Sequence, residues 1–201
     1  MFEEFFAEVR LEFLEIDPDY DYYIRKQKGF PPTEEGFVAG PNRAFLAIAT
    51  SIGPVFEWCF LMELDCIPLR PGWGTRMIAE VEKCPSAWVV GSQYHGWSYL
   101  DPLINQHLNG NAFYHFGDQE FQRFIEEVWK SVMATLVHWG YPGLAYDCVP
   151  ALMRSLVKGP HASAELREMA SQLYGRYLES PFVLNLTGTE DRTEERRVGK
   201  E

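Results

Sequence analysis

The longest periodic signal in the chain lies between residues 118 and 139, where Phe121, Phe124, Ile125, Val128, Val132 and Leu136 recur at spacings of three and four. That is the period of one face of an α-helix, with Asp118 placed to cap its start and Gly140 to stop it. Upstream, Phe45, Leu46, Ala49 and Ile52 predict a shorter helix, capped by Asn42 and broken at Gly53-Pro54. Residues 55–62 read as a strand apolar almost throughout, the pattern of a strand covered on both faces. Trp73, Met77, Ile78 and Val81 predict a short amphipathic helix, and residues 87–90 a second buried strand ending at Gly91-Ser92. A last helix over residues 164–178 precedes a short strand at residues 182–186. Near the start, a helix end passes into a strand over residues 9–16. Residues 17–41, with Pro18, Pro31, Pro32 and several glycines, read as an irregular connection anchored by Tyr20, Tyr22 and Tyr23. Helices alternating with buried strands predict an α/β fold, a three-layer sandwich with a mainly parallel, mixed sheet.

Composition narrows the class. The 201 residues suit one domain. With 18 Lys and Arg against 29 Asp and Glu, the net charge of −11 argues against a nucleic-acid partner, because phosphate binding rests on clustered cations. No basic amphipathic stretch points to an anionic membrane surface. The nearest approach to a membrane span, residues 44–62, contains Gly53-Pro54 and Glu57 and divides better into a helix and a strand. Glu3, Glu4 and Glu8 stand where a signal peptide needs positive charge, so a cytoplasmic location is expected. Cys59, Cys66, Cys84 and Cys148 are scattered and form no C-x-x-C pair, which favours reduced thiols over a zinc site or disulfide framework. The last residues, from 188 to 201, are nearly all charged and aperiodic. They read as a disordered tail, and they look like translated adapter sequence rather than native protein.

Four stretches carry candidate chemistry. In "FLMELDCIPLRPGW", residues 60–73, Glu63 and Asp65 lie one residue apart at the end of a predicted strand. On an extended chain both would point the same way. In open α/β sheets ligands bind beyond the carboxyl ends of strands, where two such acids suit a hard cation bridging to a diphosphate. The alternative is a solvated strand-to-loop junction. In "HLNGNAFYHFGD", residues 107–118, Asn109-Gly110-Asn111 reads as a tight turn. Gly110 would let backbone approach a ligand, while the flanking amides and aromatics suit a sugar; the alternative is a plain hairpin turn. In "GSQYHGW", residues 91–97, Tyr94, His95 and Trp97 could floor a substrate pocket, though a lone His is also a common structural hydrogen-bonder. In "GLAYDCVPALM", Asp147 interrupts an apolar run, either as a general base or as a buried cap for the next helix.

Taken in order, "GPNRAF", "FLMELDCIPLRPGW", "WVVGSQYHG" and "HLNGNAFY" resemble a glycosyltransferase of the GT-A class, over roughly residues 37–187. The resemblance implies a Rossmann-like GT-A fold in a single domain spanning residues 1–187, truncated at both ends. It implies a nucleotide-diphosphate sugar donor, Mn²⁺ or Mg²⁺, and transfer to a glycan or other acceptor hydroxyl. Asp65 would be the direct metal ligand of a D-x-D-like motif, with Glu63 assisting. Asn109 and Asn111 would lie near the acceptor or transferred sugar, Arg70 would offset pyrophosphate charge, and Asp147 or Asp118 would take the acceptor proton. The competing expectations are a nucleotidyltransferase-like enzyme and a non-catalytic carbohydrate-binding or interaction domain.

Overall fold

The computed structural model describes residues 17, 20, 38–52, 55–63, 66–67, 71–93, 106–138, 143–160 and 162–180. Along them run α1 Ala39–Ile52, β1 Cys59–Phe60, α2 Trp73–Glu82, β2 Val89–Gln93 and β3 Leu108–Tyr114. There follow α3 over residues 119–138, α4 Cys148–Leu156, α5 Ala164–Ser171 and β4 Tyr177–Glu179. The strands form one sheet in the order β1-β3-β2-β4. The α/β class stands. Its sheet is mixed rather than mainly parallel, because β3 runs antiparallel to both β1 and β2, and β2–β4 is the parallel pair among the described strands. The apolar run before Gly91 reflects an inner strand covered on both faces, and such cover does not fix strand direction. Val89, Val90, Gly91 and Ser92 are all buried.

The helix termini follow local chemistry. Asp118 has extended backbone angles, and its Oδ1 accepts from the Phe121 N–H at 2.8 Å, so it caps α3 as the pattern predicts. Ser163 caps α5 in the same way. Gly72 precedes α2 at φ 68°, a left-handed conformation that glycine adopts at little cost. The predicted helix over 164–178 stops at Ser171 instead; the chain turns at Gly175 (φ 72°) and gives Tyr177 and Leu178 to β4. Asn42 does not cap α1, which begins at Ala39; it sits buried in the first turn with its Oδ1 accepting from the Tyr146 N–H at 2.8 Å. The strand expected over 55–62 is likewise reduced to an edge of two residues. Val55 and Phe56 before β1 and Met62 after it, outside the paired residues, are about half exposed.

Within α3 the winding changes. Residues Gln119–Phe124 are α-helical, Ile125–Trp129 form a π turn, and Lys130–His138 resume the α-helix. Ile125, Val128 and Trp129 are all buried there, while Glu126 and Glu127 face solvent. The core these residues enter is aromatic. Phe45 lies 5.4 Å from Tyr114 and 5.1 Å from Trp129, and it stacks on Tyr146 at 4.2 Å. Trp88 packs on Phe121 at 5.3 Å and Phe124 at 5.0 Å. Each such ring pair adds about 0.5–1.5 kcal/mol beyond the area it buries. Among the described residues no helix is long and apolar enough to cross a membrane, and the cysteines there are free thiols.

Candidate functional site

The site is organised by β3. Along it Leu108, Gly110, Ala112 and Tyr114 are buried, while Asn109, Asn111 and Phe113 are half-exposed on the opposite face. Asn109-Gly110-Asn111 is therefore strand, not the tight turn its residue types suggest. β2 pairs with β3 on either side of this run, at Leu108 and at Ala112, and that ladder overrides local turn preference. A trace of irregularity survives. Gly91 lies opposite Ala112 and Gln93 opposite Leu108, so β3 places residues 109–111 against Ser92 alone. Such a bulge re-aims side chains and is common beside functional sites.

On the half-exposed face the Asn111 amide gathers the acidic stretch. Its Oδ1 accepts from the Glu63 N–H at 2.7 Å and from the Cys66 thiol at 3.1 Å. Its Nδ2 donates to Glu63 Oε2 at 2.9 Å and to Asn109 Oδ1 at 2.7 Å. Asn109 Oδ1 also accepts from the Asn111 N–H at 2.9 Å. Both donors and both lone pairs of the Asn111 amide are thus engaged by the protein itself. The Cys66 N–H closes a turn onto the Glu63 carbonyl at 3.1 Å. The Glu63 carboxylate is exposed, and among the described residues no ion pair reaches it.

Within the bulge, the Gly110 N–H donates to Asp147 Oδ2 at 3.0 Å. Asp147 occupies the cap position of α4 yet caps nothing, because its carboxylate turns to β3 instead. His107 Nε2 stands 3.9 Å from the same oxygen, and the Cys148 thiol hydrogen-bonds to this carboxylate. Burial holds the Asp147 proton affinity above the ordinary carboxylate value; the His107 ring, the Gly110 N–H and the Cys148 thiol pull it back down. Burial, reinforced by the Asp147 charge, pushes the Cys148 thiol up. Tyr146 is raised by burial, then by Asp147 and by Glu63, so the two carboxylates act on one phenol from separate strands of chain.

A second layer fixes this arrangement. Tyr177 Oη accepts from the Leu108 N–H at 2.6 Å and donates to the Asp147 carbonyl at 3.4 Å, tying the start of β3 to the start of α4. Trp129 Nε1 donates to the Tyr146 carbonyl at 2.9 Å, and Tyr114 Oη donates to the Gly110 carbonyl at 3.1 Å. A Cβ on Gly110 would overlap the Tyr146 hydroxyl and lie 3.6 Å from Asp147 Oδ2. The glycine admits close approach, as its type suggests, and what approaches are the Tyr146 and Asp147 side chains.

The His107, Asp147 and Cys148 ligand atoms lie within 4.8 Å of one another, close enough to hold a metal ion. Such an ion would have to be soft enough to displace the thiol proton, as zinc is and magnesium is not. In its place the thiol proton and the Gly110 N–H satisfy the carboxylate.

Of the residues singled out from sequence, Glu63, Asn109, Gly110, Asn111 and Asp147 converge on β3. Asp118 does not join them; it follows the other end of β3 and its Oδ1 is engaged in capping. Asp65, Arg70, Tyr94, His95 and Trp97 lie outside the described residues. His107, Cys66, Cys148 and Asn42 were not picked out as site residues. Adjacency in sequence, of Cys148 to Asp147, of Cys66 to Asp65 and of His107 to the Asn-Gly-Asn run, is the signal for three of them, and Asn42 carries none. In comparisons with known proteins, no family model, curated protein or solved structure matches the chain.

Proposed function

We propose that the protein is a metal-dependent glycosyltransferase that moves a sugar from a nucleotide-diphosphate donor onto an acceptor hydroxyl. The observation that carries this reading is the hydrogen-bonding of the acidic turn at Glu63 to Asn111 of β3, beside the partly buried carboxylate of Asp147. Two stretches separated by 48 residues, each weak alone, form one polar site. The donor set on the exposed side is oxygen, from Glu63 with Asp65 as its expected companion, and it fits a hard cation such as Mn²⁺ or Mg²⁺. When bound there, the cation supplies charge neutralisation for a departing diphosphate.

The protein's own residues supply the rest. Asp147, with its proton affinity raised by burial and its orientation fixed by the Gly110 N–H, has the character of a general base for the acceptor hydroxyl. Tyr146 stacks on Phe45, and its hydroxyl lies over Gly110 beside that carboxylate. Asn109, half-exposed beside Asn111, keeps its Nδ2 group on the face a sugar would approach.

Titration calorimetry with UDP and GDP, each with Mn²⁺ and with EDTA, tests the reading. Metal-dependent nucleotide binding is expected, abolished in Asp65→Ala. At a hundredfold excess over Kd it would stabilise the fold by about 2.7 kcal/mol. Nucleotide bound equally well in EDTA, or a simple sugar bound without either, would overturn the transferase reading in favour of a binding domain.

A further inference from the structure

Beyond Leu61, whose N–H donates to the Ala112 carbonyl at 3.0 Å, the chain leaves the sheet. Met62, Glu63 and Ile67 are exposed, so apolar packing does little to hold the 63–66 turn in place. Among the described residues, the Asn111 side chain reaches both Glu63 and Cys66. We infer that Asn111 is the positioning residue of the 63–66 turn, and that the affinity of that turn for a divalent cation depends on the Asn111 amide. The inference rests on the metal role proposed above for Glu63 and its neighbour.

The geometry carries it. Asn111 Oδ1 holds both ends of the turn, the Glu63 N–H at 2.7 Å and the Cys66 thiol at 3.1 Å. Asn111 Nδ2 holds Oε2 of the Glu63 carboxylate at 2.9 Å and leaves Oε1 for another partner. The amide orientation is dictated, since the flipped group would set a donor against the Glu63 N–H and an acceptor against its carboxylate. Asn109 Oδ1 receives both the Asn111 N–H and Nδ2, which locks the rotamer from behind. This is the outer-shell role that orients an acidic ligand before the ion arrives, and loss of such partners typically lowers metal affinity by about 10–100-fold.

The test uses the full chain and Mn²⁺ alone as probe, with free Mn²⁺ read by electron paramagnetic resonance. Asn111→Ala is expected to weaken Mn²⁺ binding by about 10–100-fold, and Asn109→Ala by less. Arg167→Ala is the stability control, because that side chain holds the Val157 and Gly159 carbonyls away from the turn. It should lower the Tm and leave Mn²⁺ affinity alone. Site-resolved alkylation gives a second readout: Cys66 should react faster in Asn111→Ala, its hydrogen bond to the Asn111 amide being removed. Should the alanine variant not fold, Asn111→Ser, which puts a shorter hydroxyl in place of the amide, takes its place. Equal Mn²⁺ affinity in the folded Asn111 variant and wild type would overturn the inference and leave the metal reading intact. Absence of Mn²⁺ binding in wild type would overturn both.

Discussion

Gly110→Ala is the sharpest probe of how β3 and the 146–147 turn fit together. Gly110 does not have a positive φ, so alanine meets no backbone penalty there. The cost is steric. The new methyl would overlap the Tyr146 hydroxyl and stand 3.1 Å from its Cζ. Tyr146 cannot yield easily, for its ring stacks on Phe45 at 4.2 Å, its N–H is held by Asn42 and its carbonyl by Trp129. Overpacking of this kind costs about 1–3 kcal/mol. Displacing the hydroxyl from its hydrogen bond with Tyr114 adds about 1 kcal/mol. Reduced freedom of the unfolded chain returns about 0.4–1 kcal/mol. The net is about 1–3.6 kcal/mol, or a Tm lower by about 2–14 °C for a domain of this size. Thermal denaturation by circular dichroism checks it, in wild-type and Tyr146→Phe backgrounds. In the phenylalanine background at least half of the cost should vanish. A Tm within about 2 °C of wild type, or an undiminished cost in Tyr146→Phe, would refute the steric account.

Asp147→Asn tests the partly buried carboxylate by pH. A carboxyl whose native proton affinity exceeds its ordinary value of 3.8 binds more protons folded than unfolded, so its contribution to stability falls as pH rises from about 4 through its native value. Stability measured by urea denaturation should therefore decline less over that window in Asp147→Asn than in wild type; parallel profiles would refute the raised affinity. His107→Gln removes a group that pulls the Asp147 affinity down, so the same decline should extend to higher pH. Asp118→Ala should cost about 0.5–2 kcal/mol as a lost cap and leave Mn²⁺ and nucleotide binding unchanged in calorimetry; impaired binding would assign Asp118 a role beyond capping. Asn42→Ala strands the Tyr146 N–H and should cost about 1–3 kcal/mol by thermal melt.

The sequence carried the parts of this fold in which local chemistry and packing agree. The α3 stripe and its Asp118 cap are of that kind, as is the buried strand before Gly91. Where neighbours decide, local signals misled. Asn-Gly-Asn has turn composition, yet its alternation with Leu108, Ala112, Phe113 and Tyr114 has the period of two that a strand requires. The apolar run over 55–62 promised burial that Val55, Phe56 and Met62, outside the paired residues, do not have. For the site, residue types named Glu63, Asn111 and Asp147, but not who holds whom. A reciprocal amide–carboxylate pair 48 residues apart leaves no periodic trace, and neither does a thiol whose partner is the preceding side chain.

The π turn at Ile125–Trp129 has a consequence for the distant loop. A helix wound one residue loose has its later portion rotated by about 100° from where regular winding would set it. Trp129 ends that loose segment and reaches the Tyr146 carbonyl, while Met133 and Leu136 beyond it enter the core. Removing one solvent-facing residue, Glu126 or Glu127, would let the segment tighten into ordinary winding. Either the indole would swing off the loop or the final turns would twist their apolar side chains outward. A deletion on the water side of the molecule would thus misalign a carboxylate on the far side of its core, and the spare residue serves as a spacer that sets that alignment.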